Sequence, residues 1–417
     1  MVKNKYWCLV KNKVMDQGVS FHIKHKNIFL FFFSFFFLDL IIDPSNQLFH
    51  LKEILFFFTI LTGLYEFLNF GNYKLFYLSI LISIIIPSIS LFIGLIFNFN
   101  FSLEVGLGYF KSFVLFLLVN MLLNYTIDYG KIFSKLTLIL IPISLVILYL
   151  LVTDNFSFFK NIMGDYRDTV KIANRSFGSF DLIMVYYKTV SLLIFGLTYL
   201  CSKKRFKFSG FNFLMIVLCA MVLILSSTRA NILSVFIIVT IYIFRNFFSK
   251  KMILRVFFWC FSVLLMIIEV IPFLMEYFFN KDEASNKMKL GFITDYINFW
   301  SDNTLAFVIG QGLGGGIYTI ERNLVYTLEP TYFEIIRIFG LIGGLFIALF
   351  MLAPLILFHL SKNTKTYEKN SYFLLGYIIY IFLIIPTNPL LLSSTGIMVM
   401  LIAYSVSIKV FLLRNNK

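Results

Sequence analysis

A carboxylate stands where a polar segment turns into a long apolar run. Glu329 is followed by Pro330, and proline is favoured in the first turn of a helix, so the spacing predicts that Glu329 lies at a helix N-terminus. The helix dipole favours a charged carboxylate there. Such a group can act as a general base toward a hydroxyl or form an ion pair. An ordinary acidic residue beside a helix N-cap is the alternative interpretation.

Arg229 interrupts an almost continuous apolar stretch. It belongs to the short polar turn Ser226-Ser-Thr-Arg-Ala-Asn231, which separates two apolar runs. An arginine at membrane depth is costly unless an anionic group lies beside it, and its planar fork matches two oxygens of a phosphate. Arg229 is therefore a candidate ligand for a diphosphate. A structural arginine that extends to the lipid headgroups is the alternative.

Three further cations have a helical spacing. Arg167, Lys171 and Arg175 are each four residues apart, which places them along one face if the segment is a helix. Such a row suits a polyanion or the phosphate of a lipid. The alternative is a solvated loop whose cations pair with Asp165 and Asp168 or with anionic headgroups.

A glycine-rich segment, Gly310–Gly316, precedes the apolar run that Glu329 opens. Glycines permit a close approach of two backbones or leave amides exposed to an anion. Gly312 and Gly314 are therefore candidate substrate contacts. Further along, Glu334 and Arg337 are three residues apart, a spacing at which the two charges can neutralise each other within a helix bundle.

The elements that must position these residues are apolar. Hydrophobic residues make up 59% of the 417 and charged residues 14%, with a mean hydropathy of +0.87, whereas soluble domains are about a quarter charged. Long apolar runs recur along the chain, and a helix of about 20 residues crosses a bilayer. The sequence predicts an all-α, polytopic integral membrane protein in which residues 1–417 form a single transmembrane domain. The twelve predicted spans are 28–43, 53–70, 75–97, 105–124, 136–152, 181–201, 210–226, 230–246, 256–275, 331–353, 372–390 and 393–413.

The distribution of Lys and Arg sets the predicted orientation. With a cytoplasmic N-terminus, most of the 36 basic residues fall in short inner segments, as the positive-inside rule describes. Both termini are then cytoplasmic, the membrane is the cytoplasmic (inner) membrane, and two long loops, 153–180 and 276–330, face the periplasm. The net charge of +15 follows this sidedness, so no nucleic-acid partner is expected.

Several kinds of site are disfavoured by the sequence. The predicted inner loops are too short for a nucleotide-binding domain, and the chain has no P-loop motif. Its cysteines and histidines lack the spacing of a metal site. We expect neither a metal nor another cofactor, and the chemistry is expected at the outer loops.

Three sequence blocks resemble the O-antigen polymerases and the related O-antigen ligases. The first is Ser226-Ser-Thr-Arg-Ala-Asn-Ile-Leu, and the second is Gly310-x-Gly-x-Gly followed by Glu329-Pro-x-x-Phe-x(6)-Gly-Leu-Ile-Gly. The third is the pair Thr387-Asn-Pro-Leu and Ser393-Ser-Thr-Gly. The predicted layout of twelve spans with two large outer loops is also similar, so the resemblance covers most of the chain.

The resemblance implies a metal-independent glycosyl transfer on the outer face of the membrane, with the active site facing the periplasm. A glycan linked to undecaprenyl diphosphate is the implied donor, and a second lipid-linked repeat unit is the acceptor. Glu329 is the implied base, and tyrosines such as Tyr332 are the implied sugar contacts. Membrane lipid and a chain-length regulator protein are the other implied partners. The cations implied to neutralise the departing diphosphate are Arg229, Arg167, Arg175 and Arg322.

Two other functions remain open at this stage. In the ligases a histidine stands eleven residues before the first glycine of the following Gly-x-x-Gly helix, and here that residue is Glu329, eleven before Gly340. This difference favours a polymerase over a ligase. A transporter of polysaccharide or of lipid-linked sugars is the alternative from another class, although such proteins usually carry charges deep in several spans.

Overall fold

The computed structural model describes most of the chain. Within the described residues the protein is predominantly helical, and its long apolar helices make it a membrane-embedded protein. The described residues are 27–47, 49–70, 73–124, 127–153, 170–177, 180–202, 210–247, 284–320, 323–362, 365–388 and 390–415.

Most helices follow the predicted apolar runs. In the first half they are α1 (Asn27–Ile42), α2 (Lys52–Phe70), α3 (Tyr73–Ile80), α4 (Ile86–Phe97), α5 (Leu103–Val114), α6 (Val119–Asn124), α7 (Tyr129–Leu136) and α8 (Leu140–Val152). In the second half they are α9 (Leu193–Ser202), α10 (Gly210–Leu225), α11 (Arg229–Phe247), α12 (Ala284–Asp302), α13 (Thr304–Ile309), α14 (Thr331–Leu360), α15 (Lys365–Ile379) and α16 (Ser394–Asn415). Helices α12 and α13 lie within the predicted outer loop 276–330.

Six helical stretches among the described residues are long and apolar enough to cross a membrane. They are Phe76–Phe97, Leu103–Leu123, Tyr129–Val152, Thr331–Leu360, Tyr367–Thr387 and Ser394–Leu413. Four shorter apolar helices accompany them: Asn27–Ile42, Val190–Ser202, Gly210–Leu225 and Arg229–Tyr242. The predicted span 256–275 lies outside the described residues, and the full set of twelve spans stays a prediction.

Two short antiparallel hairpins accompany the helices, and the described residues are otherwise consistent with the predicted all-α membrane protein. Strands β1 (Val170–Phe177) and β2 (Phe180–Tyr187) form the first, and β3 (Ile317–Thr319) and β4 (Asn323–Val325) form the second. The prediction that a helical span begins at 181 is therefore wrong, because residues 181–187 pair with β1. The helical row of cations is wrong for the same reason.

Two helices widen just before a proline. Residues Leu81–Ile85 and Tyr380–Ile384 each form one π-helical turn, and Pro87 and Pro386 follow after one further residue. Proline has no N–H to give to the carbonyl four residues earlier, and its ring crowds that carbonyl. A π turn at this point lets the helix continue past the proline.

Helix α16 lies at the centre of the bundle. Its residues from Ile397 to Ala403 are all buried. Tyr404 stacks on Phe350 of α14 with ring centroids 4.7 Å apart, and Phe116 meets the same tyrosine edge-on at 5.1 Å. This packing holds the N-terminus of α16 in a fixed place relative to α5 and α14.

Helix α14 is interrupted at Gly340, which has a φ of 72°. The interruption leaves the carbonyls of Arg337 and Ile338 open to other donors, and the amides of Gln311 and Gly312 bind them at 2.7 and 2.9 Å. The glycine-rich segment thus runs against the broken turn of α14, inside the bundle. Residues 310–316 are all buried.

Candidate functional site

A polar cavity opens between helix α5 and the starts of helices α2 and α16. Its volume is about 390 Å³. The described residues that line it come from six separate parts of the chain: Pro44, Lys52, Glu53, Val105, Gly108, Tyr109, Lys111, Ser112, Lys188, Thr327, Leu390, Leu392, Ser393, Ser394 and Thr395. On the predicted orientation, all of these residues lie at the outer ends of spans.

Cations dominate the charge of the cavity. Lys52, Lys111 and Lys188 line it, and Glu53 is the carboxylate among the described lining residues. The Nζ of Lys52 donates to the carbonyl of Pro44 at 2.8 Å. Lys111 forms an ion pair with Glu53, whose side chain is 57% exposed. The cavity therefore carries a formal excess of positive charge.

Hydroxyl groups line another part of the cavity. Ser393, Ser394 and Thr395 mark the start of α16, and the hydroxyls of Ser112 and Ser394 lie 3.0 Å apart. The Ser393 hydroxyl accepts a hydrogen bond from the amide of Gly396 at 3.2 Å, as an N-terminal capping residue does. This part of the cavity combines hydroxyls with the positive end of a helix dipole.

Glu329 lies close in the chain to a residue that lines this cavity. Thr327, two residues before it, lines the cavity. The Glu329 carboxylate is 36% exposed and pairs with Lys289 of α12 at 3.3 Å. Helix α14 begins at Thr331 with Pro330 as its N-cap, so Glu329 precedes the helix N-terminus closely, as predicted from the sequence.

Strand β2 and the start of α14, which lies near Glu329 in the chain, both bind Asn388. Tyr186 of β2 donates to the side-chain carbonyl of Asn388 at 3.5 Å, and Thr331 donates to the backbone carbonyl of Asn388 at 2.8 Å. Burial, and to a smaller degree the charge of Glu329, raises the pKa of the Tyr186 hydroxyl, which therefore stays protonated. A carboxylate, an ammonium group and a protonated phenol thus share one region.

A buried arginine fixes the backbone that leads to Glu329. Arg337 is 1% exposed and uses all five of its N–H groups. Two bind the Glu334 carboxylate at 2.7 and 2.6 Å, two bind Gln311 Oε1 at 2.6 Å and the Gly315 carbonyl at 2.7 Å, and one binds the Tyr326 carbonyl at 3.0 Å. The predicted mutual neutralisation of Glu334 and Arg337 is confirmed.

Two tyrosines complete this network. Tyr296 of α12 donates to Glu334 at 2.8 Å, and burial raises the pKa of Tyr296 well above its usual range, so the hydroxyl keeps the proton that it donates. Tyr109 of α5 lies in hydrogen-bond contact with Thr327 and approaches the Tyr326 carbonyl at 3.4 Å. The segment from Tyr326 to Glu329 is therefore held from α5, α12 and α14.

The glycines make the close backbone approach that was one of their two predicted roles, and their contact with substrate stays a prediction. A Cβ on Gly312 would lie 2.1 Å from the amide nitrogen of Gly94, and one on Gly314 would lie 2.5 Å from the carbonyl of Ser102. The close approach that these glycines permit is thus made to α4 and to the turn before α5. In this structure Gly312 and Gly314 serve packing, and the Gly312 amide is bound within the protein.

The other predicted site residues are spread over the fold. Arg229 is the first residue of α11 and is half-buried, and it is not among the described residues that line the cavity. The Tyr332 hydroxyl donates to the carbonyl of Ile381 at 2.6 Å. Arg175 belongs to β1. Arg167 and Arg322 lie outside the described residues.

The sequence interpretation missed the three cavity lysines. Each is an isolated cation at the edge of an apolar run, in contrast to the basic clusters near 203–207. Their position on the outer side could have identified them, because the positive-inside rule disfavours lysine at outer span ends.

No protein-family model, curated protein or solved structure matches this chain.

Proposed function

We propose that this protein is a glycosyltransferase that joins undecaprenyl-diphosphate-linked oligosaccharide repeat units into a surface polysaccharide, either O-antigen or capsule, on the outer face of the cytoplasmic membrane. The observation that carries the proposal is the partly exposed carboxylate of Glu329, which follows the cavity-lining Thr327 by two residues at one end of an apolar bundle. A substrate with a sugar, a charged linkage and a hydrocarbon tail needs these three environments side by side.

The proposed reaction needs a base, a nucleophile and a leaving group. Glu329 accepts the proton of a hydroxyl on the acceptor glycan, and the hydroxyl oxygen bonds to the anomeric carbon of the donor. The bond between that carbon and the diphosphate breaks, and undecaprenyl diphosphate leaves with the electron pair. No nucleotide or metal takes part, because the diphosphate is already a competent leaving group.

Cations on the outer side stabilise the departing diphosphate in this proposal. Arg229 neutralises the charge that grows on the diphosphate, together with Arg167, Arg175 and Arg322 of the two predicted outer loops. Lys289 holds the Glu329 carboxylate at 3.3 Å and orients it. The apolar helices contact the polyprenyl tail and the membrane lipid, and a chain-length regulator protein is a proposed partner.

We expect the Glu329→Gln and Arg229→Ala variants to lose polymer. A strain that lacks the gene is complemented with each variant, and the polysaccharide ladder is compared on a gel. Because removal of a general base typically costs about 10²–10⁴ in rate, each variant should leave mostly single repeat units. The matched control is Lys369→Gln, since Lys369 is 69% exposed and pairs with Asp128 at the other end of the bundle.

Three results would contradict this proposal. Full-length polymer in the strain that expresses Arg229→Ala at a normal level would show that Arg229 does not neutralise the diphosphate. Bare core lipid in the deletion strain, with finished polymer left on undecaprenyl diphosphate, would identify a ligase. A ladder that the deletion leaves unchanged would exclude polysaccharide polymerisation and favour the transporter.

A further inference from the structure

Three lysines from different elements face one cavity. Lys52 opens α2, Lys111 lies in α5, and Lys188 follows β2. The charge of Lys52 acts unfavourably on Lys111, and that of Lys188 acts unfavourably on Lys52. Like charges brought together by tertiary structure cost stability, and an anion shared between the three ammonium groups would relieve this repulsion.

Three carboxylates, Asp39, Asp43 and Glu53, lie near the lysines. Asp39 and Asp43 of the α1 end both attract Lys52. The Asp43 carboxylate, however, already accepts the amides of Gln47 and Phe49 at 2.8 and 2.9 Å, which fixes the turn after α1. Glu53 is therefore the carboxylate that meets the cavity itself, through Lys111.

The remaining groups are of the kinds that bind phosphate oxygens. Lysine provides a point charge with three donors, and serine and threonine hydroxyls donate to an anion. The start of α16 adds the positive end of a helix whose place is fixed by its central packing. Among the described lining residues, cations and hydroxyl donors outnumber the single carboxylate.

We propose that this cavity binds a phosphate or diphosphate group through Lys52, Lys111 and Lys188, and that Glu53 holds Lys111 until the anion displaces it. The identity of the lipid that carries the phosphate rests on the proposed function. The binding of an anion by the lysines does not. Glu53 is well placed for displacement, because its side chain is 57% exposed while that of Lys111 is 28% exposed. An internal carboxylate that the ligand must displace makes the site favour anions of higher charge.

Binding of inorganic pyrophosphate to the purified full-length protein in detergent tests the site. In isothermal titration calorimetry at low salt, Lys52→Gln, Lys111→Gln and Lys188→Gln should each weaken binding about tenfold, the loss of one charge-assisted contact. Lys369→Gln should bind as the wild type does. Glu53→Gln should bind up to about fivefold more tightly, because an exposed ion pair that competes is removed.

The Glu53 variant keeps the test decisive if a lysine variant fails to fold. Weaker or unchanged binding by Glu53→Gln would overturn the displacement step. Wild-type binding that none of the lysine changes weakens, or no binding of either pyrophosphate or undecaprenyl diphosphate in nanodiscs, would overturn the site. Lysine-dependent binding of undecaprenyl diphosphate alone would support a site for a lipid headgroup, whereas binding of both probes would support one that also takes the free anion.

The two proposals fail in distinguishable ways. Lysine-dependent binding in a protein whose deletion leaves polymer unchanged would keep the anion site and remove the polymerase. Polymer that depends on the gene, with lysine variants that bind pyrophosphate normally, would keep the polymerase and remove this site.

Discussion

Replacement of Arg337 by methionine should lower the free energy of unfolding by about 3–5 kcal/mol, the cost of removing one partner of a buried ion pair. The guanidinium is 1% exposed and all five of its donors are used. Its loss leaves the Glu334 carboxylate with Tyr296 alone, and leaves the carbonyls of Gly315 and Tyr326 without this donor. Denaturant titration of the protein in detergent measures the effect.

A double variant separates charge from packing. Arg337→Met combined with Glu334→Leu removes both charges and keeps apolar volume, and exchanges of this type are often close to neutral. The double variant should therefore regain part of the stability that the single variant loses. Equal stability of the wild type and Arg337→Met would show that the buried pair does not hold the segment before α14.

The same network explains why a distant substitution should affect the candidate site. Arg337 binds the carbonyl of Tyr326, the next residue is Thr327 in the cavity wall, and Glu329 follows two residues later. A site residue tolerates little displacement before its geometry is lost. Arg337 is thus a positioning residue, and its side chain has no donor left for a substrate phosphate.

Much of the helical architecture could be predicted from the sequence, because an apolar run of bilayer length has few alternatives to a helix. The secondary structure of segment 181–187 could not be predicted in this way. Its residues Asp181-Leu-Ile-Met-Val-Tyr-Tyr187 form a short apolar run that suits a strand or a helix equally well by periodicity. Pairing with Val170–Phe177 decided the outcome, and that pairing is a tertiary interaction.

The candidate site was predictable only in part, for the same physical reason. The position of Glu329 just before a helix could be predicted, because the proline after it marks a helix start, which is a local signal. Lys52, Lys111 and Lys188 were not found, because they lie far apart in the chain and only the packing of α2, α5 and the β2 end brings them together. The glycines predicted a close contact, but no local pattern identified α4 and α14 as the partners.

Replacement of Gly340 by alanine should have a still larger effect on folding. Gly340 has a φ of 72°, where a residue with a Cβ is strained. An added Cβ would lie 2.3 Å from the Val308 carbonyl oxygen and 2.4 Å from the Gly310 amide nitrogen, both of them backbone atoms. Backbone cannot rotate away as a side chain can, so the glycine-rich segment must separate from α14.

The separation would break more than one contact. The amides of Gln311 and Gly312 would lose the carbonyls of Arg337 and Ile338, and these groups are buried where water cannot replace them. Each unmade buried hydrogen bond costs about 1–3 kcal/mol. We therefore expect Gly340→Ala to lower the free energy of unfolding by about 4 kcal/mol or more, measured by the same denaturant titration.

Gly344→Ala is the matched control in the same helix. Its added Cβ would meet the nearest atom, Cγ1 of Ile336, at 3.4 Å, an ordinary contact. Alanine also favours a helix over glycine by about 1 kcal/mol, so this variant should be as stable as the wild type or slightly more stable. If Gly340→Ala proved equally harmless, the contact between Gly310 and Gly340 could not be what breaks α14, and the placement of Glu329 by the glycine-rich segment would have to be abandoned.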